Sequence, residues 1–152
     1  MSVYQDAKGS PVLKGVIVVL LGILLYVIYE PYQIREEEEM YRRESRARMV
    51  NIRQAQLLYI SDHLIYCNNL DTLVAFVKAK PDSVLISQFK PLVMSPFAPE
   101  SLLHTPKTSR PYKLATVDTT VIKKYLLEDP DGYGSIGTLT DDTRVNKASW
   151  EE

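Results

Sequence analysis

The hydrophobic pattern of this chain is dominated by one continuous apolar run near its start, at residues 12–29. A single charged residue, Lys14, lies inside the run, close to one end. A helix of this length rises about 27 Å, which matches the hydrocarbon thickness of a bilayer. Because the run is apolar on every face and the remaining chain is too short to surround it, we predict a membrane-spanning helix rather than a buried core helix.

Tyrosines mark the far end of the run, where Tyr26, Tyr29 and Tyr32 form the kind of aromatic belt found at membrane interfaces. Pro31 follows, and there we expect the helix to stop or to kink. The run is long for the apolar core of a secretory signal peptide, and no pair of small residues suited to cleavage follows it. We therefore expect an anchor that is not removed.

After Pro31 the pattern becomes charged and then amphipathic, and it predicts one long helix over residues 34–66. Residues 30–48 are mostly charged, with glutamate–arginine pairs four positions apart, so we predict a solvated helical stalk. Farther along, one helical face changes character and should pack on the rest of the domain. The residues of that face are Met49, Ile52, Ala55, Gln56, Tyr59, Ile60 and His63.

The rest of the chain predicts short elements. A second helix is expected at residues 72–79, with Asp71 as its N-cap. Frequent prolines then limit strands to short or edge positions, and we expect strands at 84–89 and 112–117. Residues 121–127 fit either a strand or a helical turn.

The predicted fold class is therefore α+β: an N-terminal transmembrane helix, a long charged and amphipathic helix, a short second helix and a small β-containing C-terminal head. The predicted divisions are a disordered tail at 1–11, the transmembrane helix at 12–29, the charged stalk at 30–48 and a small soluble α+β domain at 49–152. The net charge of −1 gives no indication of a nucleic-acid partner. The single cysteine excludes an internal disulfide.

Candidate chemistry is sparse. Gly132, Gly134 and Gly137 match the glycine spacing of dinucleotide-binding loops, but no helix is predicted after them, so tight turns are the better interpretation. Asp129 and Asp131 resemble the first ligands of a calcium loop. The later positions of that loop lack the required oxygen ligands and glutamate, and Asp-Pro-Asp-Gly is also common in turns. Calcium binding by Asp129 and Asp131 stays an alternative to an ordinary turn, and with it the interpretation of the protein as a membrane-tethered calcium- or ligand-binding module.

A catalytic site is not expected. His63 and Cys67 are four positions apart on the predicted long helix, but two such residues do not complete a zinc site or a nucleophile with its base. We interpret them as a partly buried histidine beside a small core cysteine, and we predict no enzyme activity and no cofactor.

Partners are expected in the membrane. Gly15 and Gly22 are seven positions apart, which places two small residues on one face of the predicted anchor, where a partner helix can pack closely. Lysine and arginine counts alone would leave the C-terminal domain in the cytoplasm, since five arginines follow the anchor by residue 48. A short tail before a long domain is the usual layout of an exported domain, and we expect export to the periplasm.

Two resemblances bear on function. The apolar helix, the amphipathic segment with Ile52, Ala55 and Tyr59, and the small head resemble the type II secretion major pseudopilins, which implies a filament or secretion-system subunit. The chain departs from that family at the prepilin cleavage site, which needs phenylalanine after the glycine and glutamate at the fifth place. Here Gly9 is followed by serine, and the fifth place holds lysine.

The second resemblance covers residues 12–152. The segments IRQAQLLY, DTLVAFVK, VDTTVIKKYLLEDPDGYGSIGTLTDD and KASWEE resemble small single-pass proteins of Bacteroidetes found beside ExbB- and ExbD-like proton-channel components. It implies a structural or accessory subunit of an energy-transducing, Ton-like complex in the bacterial inner membrane, with a periplasmic domain. Its implied partners are ExbB/ExbD-like channel subunits and the lipid bilayer, and no site residues follow from it.

Overall fold

A computed structural model describes residues 10–118 and 121–151, and the chain divides into two compact units between Glu39 and Met40. The fold is α+β, with helices first and a small antiparallel sheet afterwards. In chain order the elements are α1 (Pro11–His63), α2 (Leu70–Lys78), α3 (Asp82–Gln88), a 3₁₀ helix (Pro99–Leu102), β1 (Lys113–Val117), β2 (Lys124–Glu128) and β3 (Ser135–Gly137). We call the second unit, from Met40 onward, the head.

The sheet has the order β1-β2-β3 with both pairs antiparallel. Leu114 lies opposite Leu127, which in turn lies opposite Ile136 on β3. The C-terminal segment continues the sheet beside β3, since Ala148 forms a bridge with Ile136 and the Ser149 amide donates to the Ser135 carbonyl at 2.9 Å. Ala148 and Ser149 are therefore part of the folded head.

The core of the head forms between the second part of α1, α2 and the sheet. Met49, Ile52 and Ala55 are fully buried, which confirms the predicted packing face of α1, although His63 at its end is exposed. The other fully buried apolar side chains are Leu73 and Val77 of α2, Leu102 of the 3₁₀ helix, Tyr125 and Leu127 of β2, and Ile136 of β3.

The helix also holds the loops of the head through amide side chains. Asn51 donates to the Lys90 carbonyl at 2.8 Å and accepts from the Lys90 amide at 2.9 Å. Gln56 pairs in the same way with the backbone of Cys67, at 2.7 and 2.9 Å. Each side-chain amide satisfies one backbone donor and one acceptor, so these contacts fix the chain on both sides of α2 against α1.

The structure corrects several predictions about the helices. The helix does not stop at Pro31, because α1 is one element from Pro11 to His63, and it ends before the predicted residue 66. We predict a strand at residues 84–89, but α3 covers Asp82–Gln88. Its N-cap is Pro81, whose backbone has the extended conformation usual at that position. The N-cap of α2 is Asn69 rather than Asp71, because the Asn69 side chain accepts from the amides of Asp71 and Thr72.

Two further findings concern the stalk and the strands. The predicted solvated character of residues 30–48 does not extend to Glu44 and Ser45, which are fully buried in the head. The strand expected at 112–117 is confirmed as β1, and the ambiguous segment 121–127 contains the start of β2. The disordered tail expected at 1–11 falls mostly on residues outside the described ranges, while α1 already begins at Pro11.

Candidate functional site

The most prominent surface of the described chain is the apolar first part of α1. Within residues 10–118 and 121–151, one helix is long and apolar enough to cross a membrane, and the apolar window of that helix is wholly unburied. The large apolar side chains of the run range from 47 % exposed at Ile17 to 73 % exposed at Val12. An apolar surface of this size is unfavourable in water, because water cannot hydrogen-bond to it. The finding is compatible with a single-pass membrane protein.

The two glycines of this helix leave open surface. A Cβ atom placed on Gly15 or Gly22 meets no atom within 4 Å, so no described part of the chain covers either position. Within the first unit, the face that carries both glycines is available to a partner helix.

The acidic loop between β2 and β3 brings Asp129 and Asp131 close together, and both carboxylates already have partners within the protein. Ser45 of α1 donates to Asp129, and the second oxygen of Asp129 accepts from the Asp131 amide at 2.6 Å. Oδ1 of Asp131 accepts from Thr108 and Arg110, each at 2.6 Å. A guanidinium beside the carboxylate opposes a calcium ion there.

Calcium binding needs six to eight oxygen ligands, and this loop offers few that are unused. Among the described residues, only Oδ2 of Asp131 and the Tyr125 hydroxyl are buried without a hydrogen-bond partner. No group of three or more histidine, cysteine, aspartate or glutamate side chains is placed to hold a metal ion in the described ranges. The geometry therefore assigns the two aspartates to fixing the loop.

The charged state of Asp131 contributes to that role. Burial acts to raise its pKa, but hydrogen bonds from Thr108, Thr105 and Arg110 outweigh burial and hold the pKa below the ordinary value of 3.8. A depressed pKa in the folded state stabilises the fold above the unfolded-state pKa, and this stabilisation is lost as the pH falls through the folded-state pKa.

We therefore expect Asp131→Asn to lower the melting temperature of the full-length protein in detergent at pH 7 and to change it less at pH 2. Arg110→Ala should follow the same pH dependence more weakly, because Arg110 is one of several donors to the carboxylate. Melting curves across this pH range test the expectation. An equal loss of melting temperature at both pH values would contradict the electrostatic role of Asp131.

A hydroxyl relay links the acidic loop to α1 in the interior of the head. The Ser45 hydroxyl lies 2.9 Å from the Tyr112 hydroxyl and donates to Asp129. The Ser45 hydroxyl has one hydrogen, which it donates in its hydrogen bond to Asp129. The Tyr112 hydroxyl is therefore the donor to Ser45. Burial raises the pKa of the Tyr112 phenol, so its proton stays in place at neutral pH. The relay joins α1, the residue that precedes β1 and the acidic loop, and sequence reasoning did not identify Ser45 or Tyr112.

The His63–Cys67 pair does not form. α1 ends at His63, so Cys67 lies beyond the helix, where its buried thiol donates to the Asn69 carbonyl at 3.1 Å. The His63 ring instead stacks on Tyr59, with ring centroids 4.1 Å apart, and is exposed. The glycine-rich segment forms turns and β3 without a following helix: Gly132, Gly134 and Gly137 all have positive φ, as tight turns require.

Comparison of the chain with protein-family models, with curated proteins and with solved structures finds no match.

Proposed function

We propose that this protein is a non-catalytic, single-pass membrane subunit that anchors a small folded head through α1. The observation that carries the proposal is that no part of the apolar window of α1 is buried, since a core helix of a soluble protein would be mostly buried. The polar groups that suggested chemistry in the sequence are engaged in hydrogen bonds within the head, which supports a structural role.

The proposal includes the kind of assembly. The resemblance to Bacteroidetes single-pass proteins supports an accessory subunit of an ExbB/ExbD-type complex in the inner membrane, with the head in the periplasm. The open face at Gly15 and Gly22 supplies a surface on which a partner helix can pack. In this proposal the anchor selects the partner subunit, because the partner helix packs on the anchor. The head supplies a folded surface in the periplasm.

A second candidate is a pilin-like filament or secretion-system subunit. The observation that favours it is the division of α1 into an exposed apolar part and a part that packs on a head with a three-stranded antiparallel sheet. This matches the architecture implied by the pseudopilin resemblance. The candidate predicts trimming after Gly9, which the intact mass of the protein from membranes would reveal. A full-length mass would contradict it.

Membrane insertion is tested by placing charge in the apolar window. The double variant Leu20→Arg/Ile23→Arg costs about 5 kcal/mol or more of insertion free energy, since each central arginine costs about 2.5–3.5 kcal/mol on insertion scales. We expect the wild type to stay in membranes after carbonate extraction and the double variant to be released.

Ile86→Arg is the matched control, because Ile86 is 83 % exposed on the head and apolar like the two replaced residues. It should leave the membrane fraction unchanged. Release of the wild type by carbonate, or equal retention of the double variant, would contradict insertion of α1.

A further inference from the structure

One face of α1 changes from apolar to aromatic to charged within a few turns. Leu25, Ile28, Tyr29, Tyr32 and Arg35 border a shallow groove of about 540 Å³ together with Val27. Leu25, Ile28, Tyr29 and Tyr32 are 60 % to 67 % exposed, and no other described segment lies over them. Residues spaced by three and four positions share one helix face, so the groove follows the helix axis.

The next residue on this face is Glu36, which is four positions after Tyr32 and exposed. Helical geometry places Arg35 and Glu36 about 11 Å along the axis from Ile28. This face therefore presents apolar contact first, then two phenol hydroxyls, and finally one cation and one carboxylate at its two edges, about 100° apart around the helix.

This order complements a zwitterionic phospholipid. In the proposed membrane setting an acyl chain lies along Leu25 and Ile28, while a phosphate lies within reach of the tyrosine hydroxyls and Arg35. Arginine and hydroxyl donors suit phosphate oxygens. A primary ammonium beyond the phosphate then meets the Glu36 carboxylate, to which it can donate. A quaternary ammonium has no proton to donate, and an anionic headgroup places negative charge beside glutamate.

We propose that this face of α1 is a binding site for a phospholipid with a primary ammonium headgroup, such as phosphatidylethanolamine. The inference rests on the proposed membrane insertion and deepens it, because it names the lipid that lies against the anchor. Glu36 selects the headgroup, and Arg35 with the tyrosines positions the phosphate.

The test uses the full-length protein in lipid nanodiscs that contain equal amounts of phosphatidylethanolamine, phosphatidylcholine and phosphatidylglycerol. Native mass spectrometry after gentle release measures which lipid stays bound. We expect the wild type to retain phosphatidylethanolamine about threefold over phosphatidylcholine, the size of effect typical of one exposed charge-assisted contact. Glu36→Gln should bring this ratio to about one.

Glu37→Gln is the matched control, since it removes the same charge from a position about 100° farther around the helix. It should keep the wild-type lipid ratio. Equal loss in both variants, equal retention of the two zwitterionic lipids by the wild type, or preference for phosphatidylglycerol would overturn the lipid site. Failure of the wild type to enter the nanodisc would overturn membrane insertion as well, so the two proposals fail in distinguishable ways.

Discussion

Gly137→Ala is expected to destabilise the head by at least about 3 kcal/mol, because two costs add at this position. Gly137 has φ +82°, a conformation that is unfavourable for residues with a Cβ atom. An added Cβ would also overlap the Tyr125 carbonyl oxygen and lie 2.8 Å from the Val145 carbonyl oxygen. Both obstacles are backbone, so the neighbouring chain segments must separate. Tyr125 lies on β2, Gly137 lies on β3 and Val145 belongs to the C-terminal segment, so the substitution pushes these three parts of the head apart.

Gly132→Ala separates the cost of the positive φ from the cost of the overlap with neighbouring backbone. Gly132 has φ +84°, nearly the same as Gly137, but a Cβ there meets no atom within 4 Å. We expect this control to lose only about 1 kcal/mol. Urea unfolding of the full-length protein in detergent measures both variants through Trp150, the single tryptophan, which is packed against the core. Equal losses would contradict the close approach of the backbone at Gly137.

The second large effect is expected for Glu44→Ala. The Glu44 side chain is fully buried, and its Oε1 accepts from Arg48 Nε at 2.9 Å. Its Oε2 accepts from the amides of Val93 and Met94, at 2.7 and 3.1 Å. Truncation leaves two backbone donors and the Arg48 guanidinium without this acceptor, which should cost about 3 kcal/mol.

Two comparison variants make the Glu44 prediction specific. Glu44→Gln keeps one oxygen for the loop amides but loses the ion pair, so its loss should be intermediate. Glu37→Ala removes an exposed glutamate from the same helix and should leave stability unchanged. Amide hydrogen exchange at Val93 and Met94 should speed up in Glu44→Ala alone. Unchanged exchange at these amides would contradict the role of Glu44 in holding the loop.

The sequence predicted the elements whose periodicity is strong. Met49, Ile52 and Ala55 repeat at helical spacing, and burial of that face follows directly from the pattern. β1 was predicted for a similar reason, because its segment is rich in β-branched residues. α3 was missed because Val84 and Ile86 favour strands, while Pro81 and Asp82 provide the helix start.

The buried polar residues could not be placed from composition alone. A glutamate and an arginine four apart look the same on a solvated helix and on a packed helix, so Glu44 and Arg48 were assigned to the stalk. One signal was available: Glu44, Arg48, Asn51 and Ala55 continue a single helical face backward from the apolar stripe. Glu44 and Asn51 on that face hydrogen-bond to the loops of the head, and Ala55 on the same face is part of the core.

The acidic loop shows a different limit of prediction from the sequence. Asp129 and Asp131 look like ion ligands when only their own segment is considered. Their donors come from Ser45, Thr108 and Arg110, which are distant in sequence and meet the loop only after the head folds. Local spacing cannot reveal this, because the same carboxylates suit either a cation or protein donors.

The measurement that tests the central claim most directly is site-specific photocrosslinking from α1 in native membranes. A photoreactive amino acid at position 19, beside the face of Gly15 and Gly22, should form an adduct with another membrane protein. The same group at position 24, on the opposite face, should react with lipid. Mass spectrometry of the adduct identifies the partner, and an ExbB/ExbD-like channel subunit is the expected one. Lipid adducts alone at both positions would contradict an anchor that joins this protein to a membrane assembly.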